Sequence, residues 1–217
     1  MNHELFSKYP DLSIKKTSRG YTLIDKQKKM SLFLSLDEYK SILAENKSHP
    51  LNKIIKKSNL DILDCTGGFA RDSAVIASLG NNVTLVERNP MILALLLEAS
   101  KRIDDHEIKK IFENIKIRFG NCIDFIRSTN KIFDYIYFDF MFNINKSALP
   151  SKKEQFLRKI VKNNLRDNVM IINETIERVT SKIIIKEHIQ SNDFKHLDII
   201  NTYREKTVKY HLINGKN

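Results

Sequence analysis

The segment from Leu60 to Pro90 constrains this chain more than any other. An apolar strand, Leu60-Asp61-Ile62-Leu63-Asp64, runs straight into Cys65-Thr66-Gly67-Gly68-Phe69-Ala70-Arg71-Asp72. A helical run from about Ala70 to Leu79 follows and is closed by Gly80 at a C′ position. A second strand, Asn82 to Glu87, ends on an acid and continues Arg88-Asn89-Pro90, a good N-cap and N1 pair for another helix. Strand, glycine turn, helix, strand, acid is the layout with which an open parallel sheet binds a nucleoside at the carboxyl ends of its strands.

The alternation continues downstream. A helix is expected over Met91–Arg102, then a charged crossing from Asp104 to Lys110 into a third strand, Ile115–Phe119. A short helix over Ile123–Ser128 leads to a β-branched and aromatic strand, Phe133–Phe138, that ends at Asp139. Helices are expected over about Lys152–Asn163 and Asp167–Val179, then a strand at Lys182–Lys186 and a closing strand pair at Ile199–Tyr203 and Val208–Ile213. Such repetition predicts an α/β fold with a doubly wound, mostly parallel sheet over residues 59–217. Residues 1–58 read as a small N-terminal α+β appendage: short strands at 12–15, 20–24 and 30–34, a short helix from Asp37, and a break at His49-Pro50.

Composition narrows the classes. No run of about 18 apolar residues suggests a membrane span, and the first residues lack the plan of a signal peptide. Two cysteines, Cys65 and Cys122, are too few for a disulfide framework and show no metal spacing, so a cytoplasmic, metal-free protein is expected. The net charge of +11 favours a polyanionic partner, although a lysine-rich composition of this kind also arises from AT-rich coding.

The residues expected to bear chemistry sit at strand carboxyl ends: Asp64 through Asp72, Glu87, Asn121-Cys122 and Asp139. Glu87 lies where an acid can accept from both ribose hydroxyls of a nucleoside. Gly67 and Gly68 lack the side chains that would keep a ligand from the backbone, but they do not spell G-x-G-x-x-G. Arg71 and Asp72 occupy the first helical turn, where a diphosphate would need bare amides. An acid there suits the zwitterionic amino-acid tail of S-adenosyl-L-methionine.

These blocks resemble the RsmJ-type methyltransferases, class I enzymes that use S-adenosylmethionine to modify the exocyclic N2 of a guanosine in bacterial 16S ribosomal RNA. Asp64 to Asp72 is similar to that family's D-A-T-A-G-L-G-R-D. Leu85-Val86-Glu87-Arg88-Asn89-Pro90 is similar to L-V-E-R-x-P, Tyr137 to Phe142 to Y-L-D-P-M-F, Lys146-Ser147-Ala148-Leu149 to K-S-A-L, and Lys152-Lys153-Glu154 to K-K-E. The resemblance covers about residues 58–190. It implies a Rossmann-like fold and cofactor contacts from Asp64, Gly67, Gly68, Arg71, Asp72, Glu87, Arg88, Asn121, Cys122 and Asp139. It further implies 16S ribosomal RNA, or the small subunit, as partner.

The resemblance also suggests how the reaction would run. An exocyclic guanine amine is a weak nucleophile, and Asp139 is placed to accept from its hydrogens. Phe142 is the candidate to stack on an extruded base. Lys146, Lys152, Lys153 and Arg158 are candidates to grip phosphates, within a cluster that also holds Lys159 and Lys162. The chain departs from the family at several points, among them an N-terminal part that lacks its H-R-R and glycine-rich segment. Phe140 and Asn143 stand where prolines are usual, which predicts a less preorganised loop around Asp139. Lys186-Glu187-His188 replaces K-R-P, putting an acid where an arginine is usual. Three rival readings stand: a ribosome-assembly binder with weakened or lost catalysis, a DNA amino methyltransferase, and a nicotinamide-dependent oxidoreductase. The missing G-x-G-x-x-G argues against the last.

Overall fold

The computed structural model describes residues 9–44, 49–140, 152–161 and 164–216, with backbone alone for 152–154. Ten strands form two sheets among these residues. Strands β1 (Leu12–Thr17), β2 (Gly20–Asp25) and β3 (Met30–Phe33) make an antiparallel sheet in sequence order. Two helices follow, α1 (Asp37–Ala44) and α2 (Pro50–Ile54).

The main sheet is built from β4 (Asp61–Asp64), β5 (Asn82–Glu87), β6 (Ile115–Phe119), β7 (Tyr135–Asp139), β8 (Lys182–His188), β9 (Ile199–Arg204) and β10 (Val208–Asn214). Its order is β6-β5-β4-β7-β8-β10-β9. The first five of these are parallel, while β10 runs antiparallel to both neighbours. The order reverses on either side of β4, which opens a crevice at the carboxyl ends of β4, β5 and β7. The connections carry α3 (Arg71–Ser78), α4 (Pro90–Lys101), α5 (His106–Glu113), α6 (Cys122–Ser128), α7 (Lys152–Ile160) and α8 (Leu165–Arg178).

Strand alternation sends side chains to two cores. Ile62, Leu85, Tyr137 and Ile184 join the larger cluster with α3, α4 and the N-terminal sheet. Leu63, Val86, Phe138, Ile183 and Ile185 face a second cluster with α6 and α8. Leu12, Leu23, Leu32 and Tyr39 are buried in the larger cluster beside Leu95, Leu96 and Phe156, so the N-terminal sheet shares its core with the main domain. Gly20, at φ 98°, sits where a Cβ would come within 2.5 Å of the Arg102 guanidinium.

One element differs from expectation. The crossing from Asp104 to Lys110 reads in the sequence as a charged connection with no helix assigned, yet it holds most of α5. Asp105 caps that helix by accepting from the amides of Glu107 and Ile108, each at 3.1 Å. Ile108, buried, and Ile111 and Phe112, partly buried, lie three to four residues apart and pack on the larger cluster. Among the described residues no helix is long and apolar enough to cross a membrane, and no His/Cys/Asp/Glu group could hold a metal ion.

Candidate active site

A cavity of about 380 Å³ opens at the carboxyl ends of β4, β5 and β7. Its walls include Asp64, Gly67, Gly68, Arg71, Asp72, Glu87, Arg88, Asn121, Cys122 and Asp139, so every cofactor candidate from the sequence lines this one space. The size is that of a small-molecule site.

Glu87 ends β5 and is 7% exposed. One carboxylate oxygen, Oε2, accepts from the Gly68 amide at 2.7 Å, and Oε1 accepts from the Asn89 amide at 2.6 Å. Burial pushes its carboxyl up, against those two hydrogen bonds. Each oxygen keeps a further lone pair for a ligand donor. Gly68 has a φ of 52°, in the left-handed region that favours glycine. Gly67 has a different reason from the expected ligand approach: a Cβ there would lie 2.2 Å from Leu85 Cδ2, so β5 packing excludes it. Ala70 also has a positive φ of 56° and forms the N-cap of α3 without a side-chain bond.

Asp64 is buried beneath this turn. Its Oδ1 accepts from the Thr66 amide at 2.9 Å and its Oδ2 from Ser73 Oγ at 2.6 Å. Burial, against those bonds, pushes its carboxyl up to about 7. Asn121 turns its Oδ1 onto the Ile123 amide at 3.1 Å and so caps α6. Cys65 and Cys122 are free, buried and adjacent. Burial first, then the neighbouring thiol, holds Cys65 up as an inert thiol. Arg71 lies 4.0 Å from Glu38 of α1 and is 55% exposed, while Arg88 is exposed at the rim.

The far wall carries a charge cluster. Asp72 Oδ2 accepts from Tyr137 Oη at 2.6 Å and from Lys186 Nζ at 2.8 Å, and the same ammonium reaches Asp139 Oδ2 at 2.9 Å. Burial opposes ionisation of Asp72, but Lys186, together with the Tyr137 hydroxyl and His49, outweighs it and holds the carboxyl low. For Asp139 burial wins over Lys186, so its carboxyl is pushed up. The Asp139 amide donates to Thr66 Oγ1 at 2.7 Å. Phe140 is 6% exposed, stacks on Phe138 at 5.2 Å between centroids and lies 6.4 Å from Phe194. Aromatic packing and the Thr66 bond thus restrain the backbone at Asp139 and Phe140, while Asn143 lies outside the described residues.

Sequence reasoning missed Lys186 and the Tyr137 hydroxyl, and it gave Thr66, within the Asp64–Asp72 stretch, no role of its own. Tyr137 read as core, and at 1% exposure it is core, but its hydroxyl reaches the site. Lys186 lies near the carboxyl end of β8, the same positional signal that found Asp139. Glu187, the acid at the arginine position, faces the opposite way. It is 0% exposed and bonded to His211, Lys209, Ser191 and the Asp193 amide. Burial opposes its charge, yet these partners hold its carboxyl at about 2. Phe142 and Lys146 lie outside the described residues, as do the side chains of Lys152 and Lys153. Arg158 is half-buried on α7, and its neighbour Lys159 is paired with Asp25 at 2.7 Å.

Residues 22–213 match the family described as "Putative SAM-dependent methyltransferase". The chain belongs to this family. Its cofactor is S-adenosylmethionine. Proteins named "Ribosomal RNA small subunit methyltransferase J" are similar to it. The one from Dechloromonas aromatica is 33% identical over 129 residues, 58% of this chain and 52% of that protein. The one from Pseudomonas paraeruginosa is 35% identical over 130 residues, 58% of this chain and 49% of that protein. The matched part spans about half the length of these curated relatives. A solved SAM-dependent methyltransferase from Neisseria gonorrhoeae shares the fold at a TM-score of 0.67 and 18% identity, over 98% of this chain and 90% of that one. The cavity suits the cofactor: Glu87 has acceptor capacity for a ribose, Asp72 is an acid for an ammonium, and Phe69, Val86 and Ile92 offer apolar walls.

Proposed function

We propose that this chain methylates the exocyclic N2 of a guanosine in 16S ribosomal RNA, with the small subunit as substrate, in the cytoplasm. The observation that carries the reading is Asp139 in the same cavity as Glu87 and Asp72, at the end of the strand next to the glycine turn. The names of the similar proteins support the RNA and the subunit.

Bound S-adenosylmethionine supplies an electrophilic methyl on a sulfonium. Glu87 takes the ribose hydroxyls, Gly67 and Gly68 bring backbone close, and Asp64 holds their turn in shape. Arg71, Asp72 and Arg88 bind the amino-acid end, with Asn121 and Cys122 beside the base. Asp139 accepts from the guanine amine and takes up the proton released as the new N–C bond forms and the S–C bond breaks. The chain's main contribution is orientation in a closed, water-poor space. Phe142 stacks on the extruded base, and Lys146, Lys152, Lys153 and Arg158 bind phosphates.

The test is methylation of unmodified small subunits, followed by nuclease digestion to identify the modified base. Asp139→Ala is expected to lower turnover by about 10²–10⁴-fold, the range for removal of a proton acceptor. Binding of S-adenosylhomocysteine, measured by calorimetry, should stay within about threefold, because other residues carry cofactor affinity. Wild-type turnover in the variant, or a product other than N2-methylguanosine, would overturn the assignment.

A further inference from the structure

One cation is lodged between two carboxylates of the cavity. Lys186 is 18% exposed, and its Nζ stands 2.8 Å from Asp72 Oδ2 and 2.9 Å from Asp139 Oδ2. The placement follows from sheet register. Asp139 and Lys186 are Cα partners in the parallel β7–β8 ladder, so their side chains emerge side by side on one face. Tyr137, two residues before Asp139 on that face, closes the cluster by donating to Asp72. Tyr210 lies beneath the ammonium, 5.9 Å from Nζ to ring centroid.

Without this ammonium the part-buried carboxylates of Asp72 and Asp139 would be left with no cation between them. Like charges at that range disfavour double ionisation, so one acid would keep its proton. Of these two acids, Asp139 is the one whose carboxyl burial already pushes up, while Lys186 holds Asp72 low. A protonated Asp139 would keep its carbonyl oxygen as an acceptor but could not take the proton of the substrate amine. Asp139 would also lose the side-chain partner that aims it, leaving the Thr66 bond to its backbone amide.

We propose that Lys186 is a positioning residue for methyl transfer: held between Asp72 and Asp139, it fixes the Asp139 carboxylate as the acceptor facing the substrate amine. The proposal rests on the methyltransferase reading above. It links the cofactor side of the cavity to the substrate side through one side chain, since Asp72 and Asp139 share the same ammonium.

The experiment compares wild type with Lys186→Met and Lys186→Arg on unmodified small subunits. Lys186→Met is expected to lower kcat by about 10²-fold, the low end for losing acid–base function, with KM for the subunit within about threefold. The acid limb of the kcat profile should move alkaline by about one pH unit or more, because Asp139 loses its opposite charge. The groups facing the ammonium are Asp72 from α3, Asp139 from β7, Tyr210 from β10 and His49 before α2, and behind the two carboxylates stand Tyr137, which donates to Asp72, and Asp64 of β4. A carboxyl-carbon NMR titration of Asp139 assigns the limb and needs no turnover. Lys186→Arg should restore the limb and at least about a tenth of kcat, since it keeps the charge with altered geometry. This variant keeps the test sound if Lys186→Met fails to fold. Wild-type kcat in Lys186→Met, or an unmoved Asp139 titration, would overturn the proposal while leaving the methyltransferase reading intact. No transfer by wild type would overturn that reading and the proposal with it.

Discussion

Ala70 shows how a single residue records a conflict between local preference and site geometry. It is fully buried at φ 56° and ψ 26°, a region where a Cβ costs about 1–2 kcal/mol. The chain accepts this because the turn must deliver the Gly68 amide to Glu87 and then start α3 with the Arg71-Asp72 pair. Tyr39 of α1 braces the same turn by donating to the Phe69 carbonyl. Ala70→Gly is expected to be neutral or stabilising by up to about 1 kcal/mol, because relief of the left-handed φ outweighs the lost methyl and the freer unfolded chain. Chemical denaturation checks this, and a loss above about 1 kcal/mol would contradict the strain. The sequence motif was legible at these positions, but its causes were not: Gly67 answers to Leu85, a neighbour through the β4–β5 ladder, and Gly68 to a left-handed φ.

At the scale of elements, β7 and its continuation decide how firmly the Asp139 carboxylate is held. Proline would restrict this backbone through φ; Phe140 restrains it by burial against Phe138 and Phe194. Phe140→Ala should therefore cost about 3 kcal/mol, the low end for a core aromatic, since the residue lies at a strand end. Phe140→Leu should cost less than about 1.5 kcal/mol, because most of the apolar volume stays. Denaturant midpoints distinguish the two, and equal stability in all three proteins would show that Phe140 does not anchor the loop. The strands were legible as elements because apolar alternation and β-branched runs mark them locally. Helix α5 was missed because its many charges obscured the Ile108, Ile111 and Phe112 stripe.

For the whole molecule, the N-terminal sheet is tied to the wall of the cavity. Lys159 of α7 pairs with Asp25 of β2, whose side chain is 0% exposed, while Leu157 of the same helix lines the cavity. Burial pushes the Asp25 carboxyl up, but the Lys159 ammonium and the Lys28 and Gln27 amides outweigh it and hold it below 3.8. With the folded value lower than the unfolded one, this stabilisation is fully present above the unfolded value and is lost as pH falls through the folded one. Lys159→Met should cost about 2 kcal/mol at pH 7, less than for a fully buried pair because the lysine is 24% exposed. The cost should shrink at pH values below about 4, where Asp25 takes up its proton in the variant. Unfolding curves for both proteins at the two pH values test this, and a pH-independent cost would exclude the ion pair as its source.

The sequence by itself determined the α/β class, the strands, the glycine turn and the residues that line the cavity. Those signals are local: period-two apolar runs, caps, and the rule that sites lie at strand carboxyl ends. Only the tertiary structure decided that β10 inserts antiparallel between β8 and β9, and that Glu187 turns into a buried network away from the site. It also decided that one ammonium from β8 joins two carboxylates, 114 residues from Asp72 and 47 from Asp139. The reason is physical. Pairing between strands far apart in the chain depends on the register of the whole sheet, and no local pattern of residues encodes which charges that register will bring within hydrogen-bond distance.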